Sequence, residues 1–428
     1  MMSHVSATPR VLLCATTTGY QTRMFDEAAR QLGVELVLAS DRCDRLDDPW
    51  RDRAIPVRFH DEPAALAAIG QALGNRRLDG VLAVGDRPAV LAALVAEAHH
   101  LPWHSVAGAR AGRDKRLFRA AQRAAGLPGP RTTMVDAGVS TLPAGVAYPC
   151  VVKPLVLSGS RGVIRADTPA QLRDALARVA AILDAPDVRE LRDEAAARIL
   201  IEDYIDGHEL AVEGLMQRGT FHALAVFDKP EPLVGPYFEE TIYVTPTART
   251  RADEGAVVAA VGAAALAAGL WHGPVHAECR VLGSSIVVLE AAARPIGGLC
   301  ARALQCEAVQ GGSYPLEHHL LVHATGGGVP VASAPGATGV MMVPIPRAGV
   351  LRDVGGVEAA RAVPHVTDVV VSATTGQVLQ MIPEGASYLA FIFARAADDA
   401  GVLAALRDAQ ARLSFTIAPV LTVRRGVP

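Results

Sequence analysis

The segment from Gly273 to Gly298 constrains this chain more than any other part of its sequence. Glu278 stands at the end of a short segment, and eleven residues separate it from Glu290, which follows an apolar run with strand character. If the two segments pair as a hairpin, their carboxylates meet, and adjacent carboxylates repel each other unless a cation lies between them. Arg294 follows four residues later and can stabilise an anion. The pattern therefore predicts a site for Mg²⁺ and a phosphate group.

The alternative for this segment is an ordinary hairpin that ends in a surface ion pair between Glu290 and Arg294. Such pairs are common near strand ends and contribute little to stability. Three further segments favour the ligand-binding interpretation when all four are taken together.

The first of these runs from Tyr148 to Val163 and contains a strand that ends at Lys153. A glycine-rich loop follows, Ser158-Gly159-Ser160-Arg161-Gly162. Glycines let backbone N–H groups approach phosphate oxygens closely, and a lysine adds a point charge. The loop is neither a Walker A loop nor a G-x-G-x-x-G motif. A plain tight turn is the alternative.

The second segment, from Ile199 to Val212, predicts a strand that ends in an acid and restarts with another acid after a turn. The two acids are Glu202 and Glu209. One of them could accept a hydrogen bond from an adenine amino group and the other from ribose hydroxyls. The alternative is a hairpin with solvated acids.

The third segment opens a helix at Asp114-Lys115 that ends near Gly126. Lys115 could supply a second cation for phosphates. A solvated lysine on the helix surface is the alternative.

Taken together in their order along the chain, the four segments resemble the ATP-grasp superfamily of carboxylate–amine ligases over about residues 112–328. The resemblance implies that ATP lies between two α+β lobes, with Mg²⁺, or Mn²⁺ in its place, on Glu278 and Glu290. It implies that Arg294 and Lys153 act in catalysis. The residues that it implies for nucleotide binding are Lys115, Lys153, Ser158, Gly159, Ser160, Gly162, Glu202, Asp203, Ile205 and Glu209.

One position departs from the pattern of many members, in which Glu-x-Asn-x-Arg supplies an asparagine ligand to magnesium. Ala292 stands at that position. The sequence Glu-x-Ala-Ala-Arg is instead similar to the L-amino-acid ligase branch, which makes dipeptides, and so are the segments 227–246 and 339–423. The resemblance implies an acyl-phosphate intermediate and small carboxylate and amine substrates, amino acids above all. Two alternatives stay open, namely another ATP-grasp chemistry (carboxylation or a purine-pathway ligation) and an inactive nucleotide-binding regulator.

The 428 residues suggest several domains. Alternating strands and helices predict a parallel α/β sheet over residues 1–108, which the resemblance identifies as a Rossmann-like pre-ATP-grasp domain. In such sheets, ligands bind beyond the carboxyl ends of the strands, so the loop 16–20 and Asp86 could face the cleft. Ordinary loop residues without a role in binding are the alternative. An ATP-grasp domain is expected at 112–328, with its lid lobe at about 130–207. An α+β cap is expected at 336–428.

Composition excludes some classes of partner. The chain has 41 basic and 44 acidic residues and no basic stripe, so we expect neither nucleic acid nor an anionic membrane to bind. Six cysteines without a C-x-x-C pair and the lack of a signal peptide predict a cytoplasmic protein with reduced thiols. The charge-free run 255–271 is predicted to be a buried helix rather than a membrane span. The resemblance adds a homodimer as an expectation.

Two further groups of residues have alternative interpretations. His318, His319 and His323 lie on a predicted helix. His319 and His323 share one face of it and could bind zinc, but a position on the helix surface is favoured because no third ligand is evident. Cys300 and Cys306 could pair or bind a metal, but free buried thiols are favoured.

Overall fold

The computed structural model describes residues 8–16, 21–41, 54–309, 311–330, 332–333 and 335–420. Residues 17–20 of the predicted cleft loop, Cys43 and the end of the segment 339–423 lie outside them. In the described part of the chain, no helix has both the length and the apolar character needed to cross a bilayer.

The N-terminal region forms the predicted parallel sheet. Its elements are β1 (Arg10–Ala15), α1 (Thr22–Leu32), β2 (Glu35–Ser40), β3 (Ile55–Pro56), α2 (Glu62–Leu73), β4 (Gly80–Val84) and α3 (Asp86–His99). The strands lie in the order β3-β2-β1-β4, and β1 pairs in parallel with β2 and β4. Residues 11–15 are fully buried, as expected for a strand inside a parallel sheet. Asp86 follows the carboxyl end of β4 and forms an ion pair with Arg294 in a later part of the chain.

Two short helices, α4 (Val106–Arg113) and α5 (Lys115–Ala124), follow this sheet. Asp114 ends the first helix and caps the second, because its Oδ1 accepts hydrogen bonds from the backbone N–H groups of Arg116 (2.8 Å) and Leu117 (3.3 Å). The cap fixes Lys115 as the first residue of α5.

The lid lobe is a separate antiparallel sheet with helices against it. Its elements are β5 (Thr132–Asp136), β6 (Cys150–Pro154), β7 (Ile164–Ala166), α6 (Pro169–Leu183), α7 (Pro186–Arg189), a 3-10 helix (Glu194–Ala197) and β8 (Arg198–Asp203). The strand order is β5-β8-β6-β7. The loop between β6 and β7 contains Ser158 to Gly162, and its residues Gly159, Ser160 and Gly162 have positive φ angles of 64°, 55° and 74°. These backbone angles favour glycine, which explains the composition of the loop.

A larger sheet carries the hairpin predicted from the sequence. The next elements are β9 (His208–Gln217), β10 (Thr220–Asp228), β11 (Ile242–Thr245), α8 (Ala248–Ala267), β12 (Gly273–Leu282) and β13 (Ser285–Ala292). Strands β12 and β13 pair in antiparallel fashion, and β12 also pairs with β9. Helix α8 contains much of the charge-free run and packs against β10 and β13.

The segment that follows the hairpin packs against the N-terminal sheet. It contains a 3-10 helix (Cys300–Ala303), β14 (Gln305–Glu307), β15 (Ser313–Pro315), α9 (Leu316–Ala324) and β16 (Ala332–Ser333). The prediction that His318, His319 and His323 lie on a helix surface is wrong, because they are 8%, 3% and 2% exposed. The reason is that α9 packs between α1, β4 and β12. Cys300 and Cys306 are free, buried thiols, as predicted.

The C-terminal region extends the large sheet. Its elements are β17 (Ala337–Val343), β18 (Gly349–Gly355), α10 (Val357–Arg361), β19 (Val366–Val371), β20 (Val378–Leu379), β21 (Ala390–Ala396), α11 (Asp399–Arg412) and β22 (Ser414–Ala418). The large sheet has the order β13-β12-β9-β10-β11-β17-β21-β19, so it continues across the expected boundary near residue 330. A small sheet, β20-β18-β22, completes the region. The mixed α/β and α+β fold class is confirmed, and the exact domain limits stay a prediction.

Candidate active site

A cavity of about 620 Å³ lies where the N-terminal sheet, the lid lobe and the β12–β13 hairpin meet. This volume is in the usual range for sites that bind small molecules or cofactors. Every residue proposed from the sequence for nucleotide, metal or catalysis lines it, apart from Gly162. The four sequence segments therefore line one cavity, although Lys115 and Arg294 are 179 positions apart in the chain.

Glu278 and Glu290 lie opposite each other across the hairpin, as the sequence predicts. The register shifts just beyond this pair, because Cys279 pairs with Val288 and leaves Leu289 as an extra residue. Such a bulge re-aims neighbouring side chains and is common near active sites. Both carboxylates line the cavity. Two carboxylates on adjacent strands offer oxygen ligands of the kind that Mg²⁺ prefers, and they leave coordination positions for other ligands.

Arg294 is anchored by Asp86. Its Nε lies 2.6 Å from Oδ1 of Asp86, and its Nη1 donates to the carbonyl of Pro295 at 3.1 Å. Burial lowers the pKa of Arg294, but Asp86 outweighs it and raises that pKa above its ordinary value. The guanidinium is thus a permanent charge held in one place. Asp86, which sequence reasoning placed at the cleft only as one of two options, lines the cavity.

Lys153 and Glu202 form a buried ion pair in the lid lobe. The Nζ of Lys153 lies 2.9 Å from Oε2 of Glu202, and the Nε of Arg119 donates to Oε1 of Glu202 at 2.7 Å. Burial raises the pKa of Glu202, but the two cations together lower it to about 2. Both oxygens of its carboxylate are therefore paired with cations, and the role of Glu202 in adenine binding stays a prediction. The cationic Lys153 is in turn fixed on the cavity wall.

The glycine-rich loop closes over one side of the cavity. The backbone N–H of Gly162 donates to the carbonyl of Pro383 at 2.9 Å, and a Cβ at Gly159 would lie 3.3 Å from that of Ala386. Lys115 reaches the same loop segment, because its Nζ donates to the carbonyl of Leu157 at 3.2 Å. The C-terminal region thus holds the loop in place from above, a contact that the sequence did not suggest.

Glu209 lies in a polar network rather than alone. Its Oε1 accepts from Nζ of Lys229 at 2.8 Å, and its Oε2 accepts from Nε of Arg280 at 3.0 Å. Arg280 also donates to the carbonyl of Ile205 at 2.8 Å. Arg280 therefore connects Glu209, the acid predicted to bind the ribose, with the backbone of Ile205, which is predicted to bind the adenine.

Sequence reasoning gave no role to Lys229, Glu240 or Arg280. Lys229 donates to Glu240 at 2.5 Å and to Glu278 at 2.9 Å, besides Glu209. One signal could have singled out Lys229: the chain has only three lysines among its 41 basic residues, and the other two are Lys115 and Lys153. A chain that uses arginine nearly everywhere keeps lysine at these positions alone. A compact, three-donor charge is the property that distinguishes lysine from arginine.

Two groups that interact with Glu278 have altered pKa values. Burial raises the pKa of Glu240 to about 8, and the neighbouring Glu278 adds to the effect. Burial lowers the pKa of His276, but hydrogen bonds with Glu213 and Glu278 outweigh it and raise that pKa to about 9. His276 Nδ1 lies 3.2 Å from Oε2 of Glu213, which is fully buried. The wall around Glu278 therefore carries cationic His276 as well as Lys229.

Three family models match successive parts of the chain. Residues 146–303 match the ATP-grasp domain, residues 26–103 the ATP-grasp N-terminal domain, and residues 341–418 the L-amino acid ligase C-terminal domain 2. No curated protein sequence matches the chain.

Solved structures share the fold over nearly the whole chain. The L-amino acid ligase from Bacillus licheniformis has a TM-score of 0.81 and 23% identity, over 96% of this chain and 99% of that one. A carboxyaminoimidazole ribonucleotide synthase from Aspergillus clavatus, complexed with ATP, has a TM-score of 0.68 and 16% identity, over 95% and 99%. A biotin carboxylase from Campylobacter jejuni, in a β-γ-ATP complex, has a TM-score of 0.63 and 14% identity, over 95% and 92%. At these identities the likeness establishes the fold.

Proposed function

Since the chain belongs to the ATP-grasp superfamily and carries the C-terminal domain of its L-amino acid ligase branch, we propose that it joins a carboxylate to an amine at the expense of ATP. The single observation that carries this proposal is the pairing of Glu278 with Glu290 in the same cavity as Arg294, Lys153 and Lys115. Amino acids are the substrates that the branch favours, so the product is a dipeptide or a related amide.

ATP occupies the cavity with its base between the lid lobe and the large sheet. Backbone groups at Asp203 and Ile205 read the adenine, and Glu209 binds the ribose. Lys115 and Lys153 neutralise the phosphates, and the loop with Ser158, Gly159, Ser160 and Gly162 covers them. The placement of the phosphates rests on the two lysines and the glycine-rich loop that line the cavity, and the placement of the base and the ribose rests on the resemblance to the superfamily.

Glu278 and Glu290 would hold Mg²⁺, or Mn²⁺ in its place, and the bound ion would supply charge neutralisation for the phosphate oxygens of ATP. Two carboxylates directly opposite each other fit a divalent cation, and no other described residue pair on this hairpin offers the same donors. The protein contributes the geometry, because strand pairing fixes both backbones and the bulge at Leu289 sets the direction of the side chains.

The reaction has two steps. A carboxylate oxygen of the acid attacks the γ-phosphorus of ATP, the bond from that phosphorus to the β–γ bridging oxygen breaks, and ADP leaves. The amine then attacks the acyl carbon, loses a proton, and expels phosphate. Arg294 stabilises the negative charge on the acyl phosphate as it forms and as it reacts with the amine, since Asp86 holds its guanidinium in place. Such transfers depend on positioning and electrostatics more than on a protein nucleophile.

Water competes with the amine for the acyl phosphate, so the cavity has to exclude it. The loop from Ser158 to Gly162 already contacts the C-terminal region, because the N–H of Gly162 donates to the carbonyl of Pro383. We expect this loop to open for ATP entry and to close again before the first step. Loosening this contact should raise ATP hydrolysis relative to ligation.

A second candidate is a nucleotide-binding regulator without ligase activity, which Ala292 favours because it provides no oxygen ligand beside Glu290. Another ATP-grasp chemistry, carboxylation or a purine-pathway ligation, is a third candidate. These candidates differ in what releases phosphate: a regulator binds ATP without substrate-stimulated turnover, and a carboxylase requires bicarbonate.

The test is phosphate release from Mg-ATP across a matrix of paired L-amino acids and amines, with bicarbonate as an extra acid and products identified by mass spectrometry. Release that needs both partners, with a condensed amide product, is the expected result. ATP binding without release for any pair would contradict the ligase proposal. Glu290→Ala is the control that assigns the signal to this site.

A further inference from the structure

Lys229 lies just beyond the end of β10, and its side chain is 3% exposed. Its Nζ contacts one oxygen from each of three carboxylates, at 2.8 Å from Glu209, 2.5 Å from Glu240 and 2.9 Å from Glu278. An ammonium group has three N–H donors. Donors and acceptors therefore match one to one, and the three acceptors come from three separate segments of the chain.

The three carboxylates are held in this arrangement by other groups. The hydroxyl of Tyr243 donates to the second oxygen of Glu240 at 2.7 Å, and Arg280 holds the second oxygen of Glu209 at 3.0 Å. The ring of Tyr243 also lies under Lys229, with its centroid 5.1 Å from Nζ. Glu209, Glu240 and Glu278 thus form a cage around Nζ, and the side chains of Tyr243 and Arg280 hold two of these acids in place.

The same cage has the dimensions of a metal site. One oxygen from each of Glu209, Glu240 and Glu278 lies within 4.8 Å of the other two, which is close enough for one ion to contact all three. An ion at metal–oxygen distances of about 2.0–2.6 Å from these oxygens would overlap Nζ of Lys229 and repel its charge. Lysine and metal therefore exclude each other at this point.

We propose that Lys229 is a built-in cation that takes the place of a second divalent metal, so that each chain binds one metal ion, between Glu278 and Glu290. The proposal rests on the proposed function for the assignment of that one ion. Ala292 agrees with it, because the residue is 2% exposed, lies opposite His276 and has no oxygen donor for another ion. The retention of lysine at only three positions in the chain agrees as well. Lys229 acts as a positioning residue, which holds Glu209 and Glu278 in place beside the nucleotide.

Counting bound Mn²⁺ tests this proposal without any acid or amine substrate. The electron paramagnetic resonance signal of free Mn²⁺ is followed as the full-length protein is titrated, with saturating ADP and again with Mn²⁺ alone. We expect one Mn²⁺ per chain for the wild type with ADP. Lys229→Met vacates the cage and should bind one more Mn²⁺ per chain than the wild type under both conditions.

Lys229→Arg is the matched control, because it keeps a positive charge among the three carboxylates, and its Mn²⁺ count should equal that of the wild type. Mn²⁺ should also raise the melting temperature of Lys229→Met more than that of the wild type, since the ion replaces the lost charge. If Lys229 had only a structural role, Lys229→Met would gain no Mn²⁺ site, and the Mn²⁺ counts of Lys229→Met and Lys229→Arg would be equal.

Two wild-type Mn²⁺ ions per chain with ADP would overturn the proposal, and so would an unchanged count in a folded Lys229→Met. If Lys229→Met does not fold, the wild-type count still decides, because one ion supports the proposal and two contradict it. Absence of ligase activity with these Mn²⁺ counts intact would remove the proposed ligation and leave the role of Lys229 standing.

Discussion

The Nε atom of Arg294 lies 2.6 Å from Oδ1 of Asp86, and this ion pair joins the end of the β12–β13 hairpin to the carboxyl end of the N-terminal parallel sheet. The two residues are 208 positions apart. Ligands bind beyond the carboxyl ends of strands in such sheets, and here that edge orients an arginine of the ATP-grasp region. The N-terminal region therefore contributes Asp86 to the wall of the candidate site.

Removal of the guanidinium should cost most of the activity. Arg294→Ala is expected to lower turnover by on the order of 10²-fold or more, because it removes the guanidinium that we propose stabilises the negative charge on the acyl phosphate. Steady-state phosphate release measures the effect, and ADP affinity should change little. Arg407→Ala is the matched control, since Arg407 is 57% exposed and pairs with Glu231 on the surface. Turnover close to wild type in Arg294→Ala would refute the role.

Asp86→Asn should lower turnover by roughly 10-fold, because the guanidinium of Arg294 loses its charged anchor and small misplacements are costly in such sites. The double variant Asp86→Asn/Arg294→Ala should be no slower than Arg294→Ala alone, because Asp86 acts through Arg294. Independent, multiplicative losses in the double variant would show that Asp86 has another role.

The buried Glu202 predicts a specific dependence of stability on pH. Its pKa is about 2 in the folded protein against 4.5 ordinarily. A lowered carboxyl pKa stabilises the fold above pH 4.5, and this contribution, on the order of 3 kcal/mol, is lost as the pH falls toward 2. Between pH 7 and pH 2, the free energy of unfolding measured with urea should therefore fall more for the wild type than for Glu202→Gln.

At pH 7, Glu202→Gln should cost about 3–5 kcal/mol, because it leaves Lys153 and Arg119 without their buried counter-charge. Glu358→Gln is the control, since Glu358 is 85% exposed in its pair with Arg361 and should contribute almost nothing. Equal stability of wild type and Glu202→Gln at every pH would contradict the ion-pair account.

Replacement of one carboxylate of the hairpin pair should weaken metal binding. Glu290→Gln is expected to raise the Mg²⁺ concentration for half-maximal turnover at least about 10-fold, since an amide oxygen is a weaker ligand than a carboxylate. Initial rates over a range of Mg²⁺ at fixed ATP measure it. An unchanged Mg²⁺ requirement would place the ion elsewhere.

The three lysines give a chemical test of the site. Because Lys115 and Lys153 both line the cavity, mild acylation of lysine side chains should inactivate the protein, and Mg-ATP should protect it. Peptide mass spectrometry should find the protected modification at these two residues, while the buried Lys229 reacts slowly. Full activity after both lysines have been modified would exclude them from phosphate binding.

The sequence predicts those features of the site that depend on local pairing. Glu278 and Glu290 lie on adjacent strands of one hairpin, so strand pattern and spacing were enough to predict that they meet. The N-terminal strands could be predicted equally well, because continuous apolar runs are typical of strands that are buried on both faces.

Contacts between distant segments could not be predicted in the same way. Arg119 and Glu202 are 83 residues apart, and nothing in either segment indicates that the acid is already paired with two cations. The cage around Lys229 depends on the register of β9, β10 and β12 relative to each other, which the order of motifs does not specify. The histidines of α9 are buried because other elements cover the helix, and its own sequence pattern does not show this.

The most direct test of the central claim follows one oxygen atom. The acid substrate identified by the matrix experiment is labelled with ¹⁸O in its carboxylate, and the released phosphate is analysed by mass spectrometry. Attack of the carboxylate on ATP, followed by displacement of phosphate by the amine, transfers one ¹⁸O from the acid to phosphate. We predict one labelled oxygen per phosphate for each amide formed. Amide formation with unlabelled phosphate would contradict the acyl-phosphate route and the proposed function of this site.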